Sequence, residues 1–252
     1  MSDPKYPGCR RTGLVTGASR GIGASVARQL ALTGVDVGIN YRNKEGRALE
    51  VADEVTASGQ SALLLKADIT NTDEVKAMLE QIKTVWKKLD FLILNASGGL
   101  EQGKAADYAM QLNLTAQVNL VNSALPLMSR GGRIVFVTSH LAHFYGAGPA
   151  CEGYEVVAAS KKAGEDALRA MIPGLATRGI RLVVVSGDLI EGTITPRLLE
   201  RKNRGLIEKR KEAVGILPDV EEFATAITSA AVSDVYSHGE TVYVGSTNGD
   251  GL

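Results

Sequence analysis

Two residues in the second half of the sequence could together stabilise a developing negative charge. Tyr154 precedes Lys161 by seven residues in a segment of helical character. Seven residues are about two helical turns, roughly 10 Å of rise, so both side chains return to nearly the same face. A tyrosine hydroxyl can donate a hydrogen bond or a proton, and a nearby ammonium group lowers its pKa. We therefore expect an acid at Tyr154; the alternative is a surface tyrosine where the helix begins.

A glycine-rich segment, Thr16–Gly23, lies between the first predicted strand and the helix after it. Gly17 allows a tight turn, Gly21 lets the backbone approach a pyrophosphate, and Gly23 permits close packing of the helix on the strand. The free amides at the helix N terminus can then bind the phosphates. The order of strand, turn and helix distinguishes a dinucleotide site from an ordinary glycine turn. The sequence therefore predicts a nicotinamide dinucleotide cofactor.

The end of the second predicted strand indicates which dinucleotide binds. An NAD enzyme normally places an acid there to bind the ribose diol, but residues 40–43 read Asn-Tyr-Arg-Asn. Arg42, together with Arg20, could hold a 2′-phosphate by charge-assisted hydrogen bonds. We therefore expect NADPH rather than NADH. If both arginines are ordinary solvated side chains, this preference has no basis.

Short apolar runs alternate with segments of helical period, a pattern typical of a parallel sheet covered on both faces. We expect an α/β fold, a three-layer Rossmann fold with a doubly wound parallel sheet of about seven strands. A single catalytic domain is expected over residues 1–252. The predicted strands are Thr12–Val15, Val35–Tyr41, Ala62–Leu65, Phe91–Leu94, Ile134–Val137, Leu182–Val185 and Thr241–Val244, and the predicted helices are Ala24–Leu32, Glu45–Ala57, Thr72–Val85 and Tyr108–Leu127.

One segment that interrupts this alternation follows the fifth strand. Residues His140–Gly153 are rich in glycine, alanine and aromatics and are predicted to form a loop that could carry functional groups. His140 and His143, close to Ser139, raise the alternative of a Ser–His nucleophile. Ser139 does not stand in a Gly-x-Ser-x-Gly turn, so we expect both histidines to be solvated loop residues instead.

A second interruption, Gly192–Pro218, is a long charged insertion after the sixth strand. Insertions of this length are often lids, so we expect this lid segment to be mobile. Its basic side chains form either a solvated face or a docking surface for an acidic acyl carrier protein. They are Arg197, Arg201, Lys202, Arg204, Lys209, Arg210 and Lys211.

Composition excludes several classes of function. The 28 basic and 28 acidic side chains cancel, which argues against nucleic acid and anionic membranes as partners. Cys9 and Cys151 lack metal-site or CxxC spacing, so we expect free thiols and no metal. No apolar run reaches the roughly 18–20 residues of a membrane span, and the polar N terminus is not followed by a signal core. We expect a cytoplasmic protein that forms a dimer or tetramer.

Thr16–Gly23, the Asp68-Ile69 pair and Asn95 together resemble the short-chain dehydrogenase/reductase superfamily over nearly the whole chain. The resemblance implies that Asp68 and Ile69 contact the adenine side, that Asn113 supports Lys161 through water or backbone, and that Lys161 holds the nicotinamide ribose. Ser139 would orient the substrate or polarise its carbonyl, unless it only ends a strand. Asn113 could equally be a plain helical polar residue. The expected catalytic residues are Ser139, Tyr154, Lys161 and Asn113, and the expected cofactor-binding residues are Gly17, Ser19, Arg20, Gly21, Ile22, Gly23, Tyr41, Arg42, Asp68, Ile69, Asn95, Ala96, Lys161, Ile190 and Thr193.

Departures from the superfamily pattern point to one branch. The usual tyrosine stands four residues before the lysine, but Val157 occupies that position and has no proton to donate. The spacing from Tyr154 to Lys161 resembles the enoyl-acyl-carrier-protein reductases. One branch of these shares the same glycine turn, an Asn-Ala-x-x-Gly stretch and a Ser-Gly pair after the sixth strand, here Ser186-Gly187.

The leading expectation is an NADPH-dependent enoyl-thioester reductase of fatty acid metabolism. Hydride would go to the β-carbon while Tyr154 stabilises the enolate oxygen. One alternative is a carbonyl reductase acting on a ketone or a 3-oxoacyl group, and another is an inactive protein that senses NADPH. The segment from Asn95 to Asn113 is short for the family, which argues against a pocket for a long acyl chain.

Overall fold

The computed structural model describes residues 10–101, 103–147 and 151–248. Its seven strands form one parallel sheet. The strands are β1 (Arg11–Val15), β2 (Val35–Tyr41), β3 (Ala62–Lys66), β4 (Leu89–Leu94), β5 (Met128–Ser139), β6 (Arg181–Gly187) and β7 (Thr241–Val244). Their spatial order is β3-β2-β1-β4-β5-β6-β7.

Helices connect the strands and cover both faces of the sheet. They are α1 (Gly21–Leu32), α2 (Glu45–Ala57), α3 (Thr72–Trp86), α4 (Tyr108–Met110), α5 (Ala116–Ala124), α6 (His140–His143), α7 (Glu155–Ala170), α8 (Ile172–Arg178), α9 (Ile194–Lys202), α10 (Leu206–Val214) and α11 (Val220–Val232). The chain builds outward from β1 to β3 and then returns to β4 on the other side of β1. At such a reversal the loops leave the sheet in opposite directions, so a cleft opens at the carboxyl ends of the strands.

Residues that alternate along each strand build a separate core on each face of the sheet. In β1, Leu14 packs into the cluster that includes residues of α3 and α5, whereas Val15 packs into the cluster that includes residues of α1, α2 and α11. Both side chains are fully buried, because successive strand residues point to opposite faces and both faces are covered. A third cluster includes Tyr154, Leu199 and Leu206 and joins α9 and α10 to the start of α7.

The expected α/β Rossmann architecture is confirmed, with three local differences. The predicted helix Tyr108–Leu127 is a composite of α4, a π-helical turn at Gln111–Thr115, α5 and a 3₁₀ turn at Leu125–Leu127. The predicted loop after β5 begins with α6, and the lid segment contains the two helices α9 and α10. Within the described ranges, no helix is long and apolar enough to cross a membrane.

Candidate active site

A cleft of about 630 Å³ opens at the carboxyl ends of the central strands. All the residues expected to bind cofactor or substrate line it, and Asn113 is the one expected site residue outside its wall. Sequence reasoning gave no role to several wall residues that the fold also brings here. They include Asn40, Glu101, Tyr108, Leu112, Leu141, Asp188 and Leu189.

The glycine-rich turn leaves room for a ligand above the start of α1. Gly21 has a φ of 57°, and a Cβ placed on it would meet nothing within 4 Å. A Cβ on Gly23 would come 2.5 Å from the side-chain nitrogen of Asn95, so only glycine fits between α1 and the loop after β4. Among the described residues, no side chain caps α1, so its first amides remain available to phosphate oxygens.

Two asparagines fix the glycine-rich turn to its neighbouring strands. The side chain of Asn95 donates to the carbonyl oxygen of Thr16 at 2.9 Å, and the Thr16 hydroxyl accepts from the amide of Asn95 at 3.0 Å. Asn40 accepts from the amide of Gly17 and donates to the carbonyls of Leu65 and Ala67. The signal for Asn40 was available, since an asparagine inside a fully buried strand needs polar partners.

The end of the cleft near β2 carries the positive charge expected there. Arg42 donates to the hydroxyl of Tyr108 at 2.8 Å and lies 3.5 Å from the carboxylate of Asp68. Burial raises the pKa of Asp68, but hydrogen bonds from Thr70 and the charge of Arg42 outweigh it and hold this pKa below its ordinary value. Arg20 is exposed at the rim of the same cleft.

Two hydroxyl groups meet at the other end of the cleft. The side-chain oxygens of Ser139, at the end of β5, and Tyr154, just before α7, lie 3.2 Å apart. Tyr154 is 4% exposed. Burial raises its pKa although the hydrogen bond with Ser139 lowers it. The lowered tyrosine pKa expected from a nearby ammonium is therefore wrong for this structure, since desolvation of the phenolate dominates.

Lys161 lies in the wall of the same cleft, on α7 and seven residues after Tyr154. Burial lowers the pKa of Lys161 to about 8, and the negative charge of Glu165, one turn later on α7, opposes this shift. Val157, at the usual tyrosine position, lines a neighbouring groove with Gly99 instead. Of the two candidate positions, only Tyr154 thus presents a hydroxyl group to the cleft.

Asn113 lies beneath the cleft wall in the π-helical turn. Its side chain donates to the carbonyl of Gly98 at 2.8 Å and to the hydroxyl of Ser160 at 2.9 Å. A Cβ on Gly164 would overlap the backbone carbonyl oxygen of Asn113. Asn113 therefore holds the helix that carries Lys161, both through its side chain and through close backbone packing.

Neither histidine near Ser139 is a solvated loop residue, which corrects the sequence-based expectation. His140 is buried, its Nδ1 lies 2.8 Å from the hydroxyl of Ser186, and burial lowers its pKa to about 4. His143 pairs through Nδ1 with the buried carboxylate of Glu165 at 2.8 Å. The hydroxyl of Ser139 forms its hydrogen bond with Tyr154 rather than with a histidine. This geometry argues against a Ser–His nucleophile.

The lid segment begins at the cleft and is anchored further along. The hydroxyl of Thr193 donates a hydrogen bond to the carbonyl oxygen of Ile190 at 2.8 Å, and both residues line the cleft. Arg210, expected in a solvated or docking face, is instead completely buried and paired with Asp188. Of the two cysteines, Cys151 is free and buried, and Cys9 lies outside the described residues, as do positions 148–150 of the segment after β5.

Comparisons with known proteins agree with this geometry. A model of the short chain dehydrogenase family matches residues 11–203. The chain is 29% identical to the 3-oxoacyl-[acyl-carrier-protein] reductase FabG of Staphylococcus aureus, over 93% of this chain and 96% of the relative. A short chain dehydrogenase from Burkholderia cenocepacia, solved in complex with NADP, is 26% identical with a TM-score of 0.80, covering 94% of this chain and 96% of that chain. The angucycline C-6 ketoreductase LanV, solved with bound NADP, is 26% identical with a TM-score of 0.77, covering 94% and 95% of the two chains.

The parallel sheet and its glycine-rich turn define a dinucleotide-binding protein of the Rossmann class. With the family match over residues 11–203, the chain belongs to the short-chain dehydrogenase/reductase superfamily. The expected superfamily is thereby confirmed, and the resemblance to its enoyl reductase branch stays a prediction.

Proposed function

We propose that this protein reduces the carbonyl group of a ketone or a 3-oxoacyl thioester with NADPH. The observation that carries the proposal is the pair of hydroxyls of Ser139 and Tyr154, 3.2 Å apart in the cleft that Lys161 also lines. A full-length relative named as a 3-oxoacyl reductase and a similar ketoreductase structure with bound NADP support it. The carbonyl reductase alternative is therefore favoured over the enoyl-thioester reductase.

The residues of the cleft fit a phosphorylated dinucleotide. The uncapped start of α1 and the open space above Gly21 suit the pyrophosphate. Arg42 suits a 2′-phosphate, and residues 42–44 between β2 and α2 include no acid to bind a ribose diol. When bound, NADPH supplies a hydride. Ile190 and Thr193 line the far end of the cleft, and Lys161 would hold the ribose there.

The side chains at this end can provide the rest of the reduction. As the carbonyl carbon is reduced, the Tyr154 hydroxyl would give its proton to the carbonyl oxygen, and a proton from solvent would then restore the hydroxyl. Ser139 offers a second hydroxyl to the same oxygen. The charged Lys161 stabilises the negative charge that develops as the proton leaves Tyr154. Burial of Tyr154 and Lys161 strengthens these electrostatic interactions.

Two other functions can be distinguished from this one. The spacing between Tyr154 and Lys161 favours an enoyl-thioester reductase, in which Tyr154 would stabilise an enolate oxygen. A sensor without catalysis would have no need for the paired hydroxyls of Ser139 and Tyr154. For thioester substrates the acyl group could be carried by coenzyme A or by an acyl carrier protein, with the exposed Arg201 and Lys202 of α9 near the carrier.

Oxidation of NADPH should be followed with an acetoacetyl thioester and, separately, with a crotonyl thioester. We expect turnover with the acetoacetyl compound. Turnover with the crotonyl compound alone would replace this proposal by enoyl reduction, and turnover with neither would favour a ketone substrate or the sensor. Carrier-protein and coenzyme A forms of the acetoacetyl substrate, compared at equal concentration, test the carrier protein as a partner. Sedimentation measures the expected dimer or tetramer.

A further inference from the structure

A hydrogen bond crosses the cleft at the end opposite Ser139 and Tyr154. Arg42, just after β2, donates from Nη1 to the hydroxyl of Tyr108 at 2.8 Å. Tyr108 begins α4, at the end of the connection that follows β4, so the two residues come from different walls. Tyr108 is 9% exposed and lines the cleft. Its ring is therefore fixed by packing, and its hydroxyl group presents a defined partner to the guanidinium.

Other charges nearby determine what the guanidinium can do. Asp68 lies 3.5 Å from the same Nη1 of Arg42 and also accepts two hydrogen bonds from Thr70. The ammonium of Lys104 lies 4.7 Å from the centre of the Tyr108 ring. Asp68 therefore competes for the positive charge of Arg42, whereas Tyr108 binds the guanidinium without neutralising it, and Lys104 adds a second positive charge.

We propose that Tyr108 determines cofactor specificity by holding Arg42 ready for the phosphate on the adenosine ribose. The proposal rests on the proposed use of NADPH. A guanidinium has five N–H donors, so the bond to Tyr108 leaves donors free for phosphate oxygens. With phenylalanine at position 108, the nearest remaining partner of Arg42 is Asp68. Without the Tyr108 hydroxyl, nothing would hold the guanidinium back from the Asp68 carboxylate, which already lies 3.5 Å away, and a phosphate would have to compete with a closer pair.

The test compares dissociation constants for NADPH and NADH, measured by fluorescence titration. Tyr108→Phe should weaken the binding of NADPH about 5- to 10-fold, within the range of one ordinary hydrogen bond, and leave the binding of NADH unchanged. Tyr236→Phe is the matched control, because it removes a tyrosine hydroxyl that bonds Ser229 outside the cleft. In the Arg42→Ala background, Tyr108→Phe should have no further effect on NADPH, because its partner is gone.

The outcomes separate this inference from the function on which it rests. Equal affinity of the unaltered protein for NADPH and NADH would contradict the proposed cofactor. An NADPH affinity that Tyr108→Phe leaves unchanged, or a loss of equal size for both cofactors, would overturn the role of Tyr108 and leave the cofactor proposal intact. An undiminished effect of Tyr108→Phe in the Arg42→Ala background would also overturn it, because Tyr108 would then act without Arg42.

Discussion

Arg210 and Asp188 form an ion pair that is hidden from solvent, with Nη2 and Oδ2 2.8 Å apart. The guanidinium also donates to the backbone carbonyls of Ser246 and Asn248, and the carboxylate accepts from the amide of Leu189. Arg210 lies on α10 and Asp188 directly follows β6. This pair therefore ties the lid segment to the sheet and to the residues after β7.

Loss of either member should be costly for stability. Arg210→Ala and Asp188→Ala are each expected to lower the free energy of unfolding by about 3–5 kcal/mol, because each leaves an uncompensated buried charge. The double variant should lose less than the sum of the two. Urea unfolding followed by circular dichroism measures this, with the exposed Lys209→Ala as control at about 0.5 kcal/mol or less. Additive losses would show that the two charges are not coupled.

Hydrogen exchange should divide the lid segment into two parts. α10 is held by Arg210, so its amides should be protected before any ligand is added. α9 lines the cleft mainly through its first residues, and its exchange should slow when NADPH and substrate bind. Uniform fast exchange over both helices would contradict the anchoring by Arg210. Full protection of α9 in the free protein would contradict a lid.

Tyr154→Phe should lower turnover by about 10²–10³, the usual cost of removing a donor to a developing oxyanion. The affinity for NADPH should barely change, because the ring and its packing remain. Lys161→Ala should damage both turnover and NADPH binding, since Lys161 is proposed to hold the ribose as well. Steady-state kinetics with cofactor titration separates these effects, and Tyr236→Phe is again the control. Full turnover by Tyr154→Phe would remove Tyr154 from the mechanism.

Activity should fall as the pH rises through about 8. Burial lowers the pKa of Lys161 to about 8, so its ammonium is charged below that pH and neutral above it. The pKa of Tyr154 is raised, so its hydroxyl stays protonated in this range and does not cause the fall. The pH profile of kcat/KM measures the effect. Lys161→Arg, if active, should move the fall to higher pH, because a guanidinium keeps its charge; an unmoved fall would exclude Lys161 as its source.

NADPH should bind at least about tenfold more tightly than NADH, a difference of about 1.4 kcal/mol. The reason is the positive charge of Arg42 after β2, with Arg20 at the rim. Arg42→Ala should remove most of the preference, and Lys209→Ala, on the exposed side of α10, should keep it. A preference for NADH that Arg42→Ala leaves unchanged would be the opposite result.

Local patterns were sufficient to predict the sheet and the phosphate-binding turn. Buried parallel strands are continuous apolar runs, and a glycine turn between strand and helix has few other uses. Helical spacing and the superfamily pattern singled out Tyr154, Lys161 and Ser139, and the fold brings these three residues into one cleft because the carboxyl ends of neighbouring strands share an edge.

Features that depend on distant partners were missed. Arg210 sits in a charged run that is typical of a solvated face, and only its meeting with Asp188, 22 residues earlier, allows it to be buried. His143 is paired with Glu165, which is also 22 residues away. The π-helical turn around Asn113 and the bond between Tyr108 and Arg42 likewise arise from tertiary packing. The local periodicity of a sequence predicts helices and strands but not such contacts between distant residues.

Because Gly164 has no side chain, α7, the helix that carries Lys161, can lie close to the turn around Asn113. At this point α7 rests directly on the peptide group of Asn113, with no room for a methyl group between them. Lys161 lies one turn before this contact, and Ser160 is bonded to the same asparagine. Any side chain at position 164 would push α7 away from Asn113 and would move Lys161 with it. The position of Lys161 relative to the hydroxyls of Ser139 and Tyr154 thus depends on a backbone contact at Gly164, a residue outside the cleft wall.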